Sequence, residues 1–312
     1  MHPQPVAGGL AAKIEVSNSD QAIVSIAPAS LTIPGGNATA KLHVSLLNAG
    51  LATLSASTPH GFSSPTLFAT IPVTVMKPGI GITDEIAIGY NLEAHGALSL
   101  GEVAPAAGVM VTLTSNDPAK LLLSRTSTEA GADRITIAVP AGGFQSSYYL
   151  HALAGSGTVT YKSTAPGYRD REAMVTLTPS GLVLGGPQGP PEEVELLNKE
   201  IAEGPHGFVT RPSAEPSAIS AYTVQLDPMT FRGADLTVQA VRPGASIKAV
   251  LTNSNPAAGK LKQTDLTIAP GTSNGVTYFV PGAAGVTDVS VATPQGHAQA
   301  RNSTKLTIIV KD

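Results

Sequence analysis

The chain has 312 residues, a formal net charge of −3, 13% charged residues, no cysteine and no tryptophan. Only 19 Lys and Arg leave no basic face for a phosphate backbone, so nucleic acid is not an expected partner. No run of about 18 apolar residues occurs, which argues against a membrane-spanning helix, and the lack of Cys excludes disulfides, thiolate metal sites and cysteine nucleophiles.

The first ten residues, MHPQPVAGGL, lack a basic stretch followed by an apolar core and do not read as a signal peptide. From Lys13 the chain alternates apolar with small or polar residues between Gly, Pro, Asn and Asp. That is the period of two expected of half-buried strands. With 32 glycines and 25 prolines, many short strands and few helices are predicted.

The stretch opened by KIEVSNSDQA at Lys13 returns as KAVLTNSNPA at Lys248, 235 residues later, and the offset needs no gap from about Gly8 to Met76. Leu31/Leu266, Gly36/Gly271, Gly50/Gly285, Pro59/Pro294 and Gly61/Gly296 are identical pairs at that spacing. A third copy lies between them, carried by VTLTSNDPAKLLL from Val111, ITIAVPAGG from Ile135 and GTVTYKSTAPGY from Gly157. From the corner at Asp20 to the turn at Gly61 is 41 residues, but from Asp117 to Gly167 is 50, so the middle copy carries an insert near SRTSTEAGAD.

Four regions follow from the repeats: 1–77, a sandwich lacking its first strands; 78–184, a complete sandwich; 185–217, a linker; and 218–312, a second complete sandwich. The middle and last copies have lead-in segments, DEIAIGYNLEAHGALSLGEVAP and AISAYTVQLDPMTFRGADLTVQAVRPG, for which the first copy has no equivalent. In the linker, GPPEEVELLNKEIAEG carries helix start and stop signals, with Glu195 and Lys199 spaced as an ion pair and Val194, Leu197 and Ile201 on one face. It predicts a short helix over about 191–203.

These repeats resemble the tandem bacterial immunoglobulin-like (Big-type) repeats of large secreted or cell-surface proteins. The resemblance implies an all-β fold of antiparallel sandwiches, an extracellular or cell-surface setting, and a non-enzymatic structural, spacer or adhesive role. Neighbouring repeats or identical subunits would be its partners, with cell-surface or matrix proteins beyond them. The alternative is a subunit of an extracellular fibre, assembled by strand complementation at the incomplete first copy, whose unpaired edge would accept a strand.

No catalytic, cofactor-binding or metal site is assigned. GTSNG, Gly271–Gly275, fits a nucleophile elbow but joins strand to strand, where that motif needs a strand-to-helix turn. The histidines, His2, His43, His60, His95, His151, His206 and His297, show no metal-ligand spacing and read as scattered edge residues. Asp84, Glu85 and Glu102 lack the aspartate string of a calcium loop, and without tryptophan there is little for a sugar ring to stack on. The charge cluster YRDRE, Tyr168–Glu172, reads as a solvated strand edge whose charges discourage pairing. His60, in the turn PHGF, aligns with Pro166 and Gln295 while the next residue stays Gly, so the turn needs its glycine for a positive φ and not its histidine.

Overall fold

The computed structural model describes residues 3–63, 69–187 and 207–312; the predicted helix at 191–203 lies outside the described residues. All regular elements among the described residues are β-strands, and they divide into two compact units, Met1–Pro78 and Gly79–Asp312. No helix of the described residues is long and apolar enough to cross a membrane.

Unit 1 holds β1 (Ala11–Asn18), β2 (Val24–Ala27), β3 (Ser30–Pro34), β4 (His43–Leu46), β5 (Gly50–Ala56) and β6 (Thr70–Val75). A four-stranded sheet in the order β3-β1-β5-β6 faces the two-stranded sheet β2-β4. The small core between them is Val24, Ala52 and Leu54, with Ile23, Ile26, Val73 and Val75 packed against it.

Unit 2 begins with β7 (Ile80–Ile82), β8 (Ile86–Gly89), β9 (Leu92–Leu100), β10 (Val109–Ser115), β11 (Leu121–Ser124), β12 (Arg134–Val139), β13 (Gln145–Ala152), β14 (Gly157–Thr164) and β15 (Arg171–Thr178). One sheet runs β12-β10-β14-β15-β8, with β8 parallel to β15. The facing sheet contains β11, β13 and β9, and β7 lies on the last three residues of β9. Alternation makes the core: Leu92, Leu98, Val111, Leu113, Leu150, Tyr161 and Val175 point inward and are buried. Across it Thr83 N–H donates to Tyr148 Oη (3.1 Å), Tyr148 O–H to Tyr161 Oη (2.6 Å), and Tyr161 O–H to the Thr83 carbonyl, a closed ring that fixes the chain between β7 and β8.

The remaining strands of unit 2 are β16 (Ser180–Gly185), β17 (Gly207–Thr210), β18 (Ser217–Leu226), β19 (Gly233–Val238), β20 (Ala240–Val241), β21 (Ile247–Asn253), β22 (Gly259–Leu261), β23 (Asp265–Ile268), β24 (Asn274–Pro281), β25 (Gly285–Val291) and β26 (Lys305–Val310). They form β16-β18-β24-β22, with β19 on β18, and β17-β26-β25-β21-β23, with β17 parallel to β26. Buried residues of both sheets, among them Leu184, Ile219, Phe279, Val289 and Ile308, join the same continuous core as the preceding sheets.

Two boundaries differ from the sequence reading. β16, placed at the end of the middle copy, pairs along its whole length with β18, so the crossing between copies is the single residue Pro179. Gly207–Thr210, placed in the linker, is β17 of the last sheet, so residues 186–206 connect β16 to β17 inside the last copy. The apolar run MVTLTPSGLVL reads as one strand because only Pro179 interrupts it.

The 235-residue spacing extends to the ladders. Val16↔Ala56 matches Leu251↔Val291, Gly50↔Val75 matches Gly285↔Val310, and Ile26↔Val44 matches Leu261↔Phe279. At the three equivalent turns Gly61, Gly167 and Gly296 have φ of 82, 84 and 79°, each closed by an N–H···O=C bond from the next residue back across the turn.

Candidate functional site

The most buried polar cluster lies on the face of β9, β13 and β11 away from the core. Leu92 and Ala94 of β9 point into the core, so Glu93 between them points out, as does His151 directly opposite on β13. Both are nonetheless buried, as is Ser124 of β11. The middle copy's insert covers them: Leu123 and Ala132 exchange backbone hydrogen bonds at its base, and Arg125 and Glu129 form an ion pair within it. Gly131 lies so close to the imidazole that a Cβ there would stand 2.7 Å from His151 Nδ1 and 2.6 Å from Leu122 Cβ.

His151 Nε2 lies 2.9 Å from Ser124 Oγ and 3.3 Å from Glu93 Oε2, and the Ser124 hydroxyl donates to the Thr126 carbonyl at 2.8 Å. A hydrolytic relay needs the hydroxyl on one imidazole nitrogen and the acid on the other. Here both meet Nε2, Nδ1 has no hydrogen-bond partner, and the hydroxyl proton is committed to a backbone carbonyl. The cluster is a clasp that holds the insert to the sheet.

Beside it opens a cleft of about 560 Å³ lined by Glu85, Glu93, His95, Tyr149, Gln225 and Gln239. Its wall is where the last copy gives a strand to the middle one: β20 pairs antiparallel with the start of β9, Ala240 opposite Glu93 and Val241 opposite Leu92. The neighbouring Gln239 is buried and bonds one edge of the β8 backbone twice, accepting from Gly89 N–H (3.0 Å) and donating to Ala87 O (2.9 Å). Arg242 donates through its backbone N–H to Asn91 O and through Nε to Asn91 Oδ1, each at 3.1 Å. Ser180 donates to Tyr90 O at 2.6 Å. The His297 ring packs on Tyr90 at 5.5 Å, and burial holds its imidazole below the usual histidine range.

The residues singled out from sequence take other places. GTSNG is the β23–β24 turn, with Gly271 at φ 73° and the Ser273 carbonyl accepting from Thr223 N–H at 2.9 Å. His60 is exposed at its turn. Asp84 accepts from Met174 N–H (2.7 Å) and Arg171 Nη2 (2.7 Å); the Met174 amide foremost holds its carboxyl below the usual range. Within YRDRE, Tyr168 is buried, while Arg169, Asp170, Arg171 and Glu172 are exposed as expected; Arg171 also pairs with Asp84, and Glu172 accepts from Asn116 at 2.9 Å. The Glu93–His151 pair escaped the sequence because its members meet only through the β9–β13 register. Among the described residues no group of three or more His, Asp or Glu could hold a metal ion.

No family model matches the chain, and no curated protein matches it. Among solved structures it is similar to a β-glycosidase from Bacteroides vulgatus, at 9% identity and a TM-score of 0.26 over 56% of this chain and 23% of that one. It is also similar to an Escherichia coli alpha-2-macroglobulin activated by porcine elastase, at 10% identity and a TM-score of 0.27 over 99% of this chain and 30% of that one. The chain spans less than a third of either, and at these TM-scores neither likeness bears on function.

Proposed function

We propose that this chain is a non-enzymatic structural or adhesive spacer segment of a bacterial surface or secreted protein, built from tandem immunoglobulin-like repeats of the Big type. The observation that supports it is the join across Pro179. The last copy pairs β20 with β9 and ties Gln239 and Arg242 to the backbone of residues 87–91, which resists bending between successive sheet pairs. The buried Ser124 and His151 fit the same reading, because Ser124 bonds both His151 and the Thr126 carbonyl of the insert.

With no native cysteine, spin labels can be placed cleanly. Exposed Met110 of β10 and Val286 of β25 suit a Met110→Cys/Val286→Cys pair in the full chain. A spacer predicts a single narrow distance distribution by double electron–electron resonance, unchanged between low and high salt. A broad distribution, or turnover of ester or glycoside substrates by the purified chain, would overturn the reading.

A further inference from the structure

We infer that the outer edge of β4 in unit 1 is an acceptor for an extended strand of a partner polypeptide, apolar at alternate positions and antiparallel to β4. This goes beyond the spacer reading and does not depend on it.

The last copy supplies the template. There β24 is flanked by β22 on one edge and β18 on the other, with Ser217↔Phe279, Ile219↔Thr277 and Ala221↔Gly275 in register. At the 235-residue spacing those β24 positions are Val44, Leu42 and Ala40, and the ladder on the first edge, β2 with β4, is the same. On the second edge β4 has no partner among the described residues. Leu47 N–H donates to Ile23 O, so by alternation Leu42, Val44 and Leu46 turn their N–H and C=O groups toward that open edge.

Side-chain burial follows the same map. Phe279 is 0% exposed but Val44 is 44%; Leu306 is 1% exposed but Ile71 is 60%. Leu46 and Leu47 add to the exposed apolar surface. These residues have the chemistry of a core whose covering strand is absent from unit 1.

Of the two unit 1 edges whose equivalents carry a further strand in the last copy, those of β4 and β6, only one is receptive. In the last copy β17 lies along the outer edge of β26, where Lys311 N–H donates to Thr210 O, so Thr307 faces the same way. The equivalent residue in β6 is Pro72, which has no N–H to offer, and a proline is a common guard on an edge strand. Nothing comparable stands in β4, HVSL.

A second copy of this chain is a poor donor, because its own lead-in strands are in use. β9 is held by β13 on one edge and by β7 and β20 on the other, and β18 by β24 and β16. The occupant that fits is a strand of a separate polypeptide with the character of Ser217–Leu226, SAISAYTVQL, the strand that fills the equivalent edge in the last copy.

A labelled peptide of that sequence, added to the full chain, tests the assignment. Saturable binding is expected, with amide exchange slowed about tenfold or more at Leu42, Val44 and Leu46. Backbone N-methylation at the peptide positions of Ile219 and Ala221, which face β24 in the last copy, should abolish binding. N-methylation at Ala218 and Ser220 should not. Val44→Pro in the chain should also abolish it, and if that variant does not fold the methylated pair still decides. Absence of binding, or equal binding by both methylated peptides, overturns the inference. So does an edge already protected in a concentration-dependent way before peptide is added, which would assign it to a second copy and revive the fibre alternative.

Discussion

Tyr148, Tyr161 and Thr83 form a cycle in which each donates to the next, the Thr83 N–H being shared with the Ala97 carbonyl, so removing a tyrosine hydroxyl strands another polar group inside the core. Burial pushes both phenol groups above the usual tyrosine range. Tyr161→Phe leaves the Tyr148 hydroxyl and the Thr83 carbonyl without their partner. It should lower the stability of unit 2 by about 1–3 kcal/mol, read as a lower urea midpoint with an unchanged slope. Nothing in the sequence marked these tyrosines, since GTVTYKST and SSYYLHA are ordinary alternating strands. The turn glycines were legible, because a residue kept while its neighbours change from His to Pro to Gln must answer to the backbone. All three have positive φ.

At the scale of elements, β20 is only two residues long, yet with Gln239 it completes the β9 edge and the β8 backbone. Gln239→Ala would leave Gly89 N–H and Ala87 O unpaired beneath the junction, a loss of about 1–3 kcal/mol. Hydrogen exchange of the full chain should show faster exchange at residues 87–93 and no change at β10 or β14. Repeat alignment located β1 to β6 against β21 to β26 because their spacing is rigid. It misassigned β16 because a strand's alternation does not say which sheet it joins. Pro179 was the only sign of a crossing, and its effect depends on β18, which lies far along the chain. The Glu93–His151 clasp was hidden for the same reason, since period two identifies faces but not partners across a ladder.

The whole molecule is uneven. Unit 2 has a continuous core running through four sheets, whereas unit 1 packs Val24, Ala52 and Leu54 with a few half-buried neighbours. Small cores leave little margin over chain entropy. Unit 1 should therefore melt first, as a separate transition in differential scanning calorimetry. Its residues 11–56 should become open to proteases while Leu113, Leu150 and Phe279 stay protected; a single transition for all 312 residues would contradict this. The all-β class could be read from composition and spacing, because Gly, Pro and alternating residues favour short strands. The β20 exchange could not, since two residues carry no periodicity.

That exchange also orders events in time. A chain made from its N-terminus completes β15 at Thr178, but the start of β9, paired with β13 on one edge, has no strand on the other until Ala240 and Val241 are made. The intervening stretch is about 60 residues, or roughly 3–12 s of synthesis at common translation speeds of about 5–20 residues per second. For that interval a nascent chain holds an otherwise finished pair of sheets with one short edge bare, and closing it requires the next pair to begin forming.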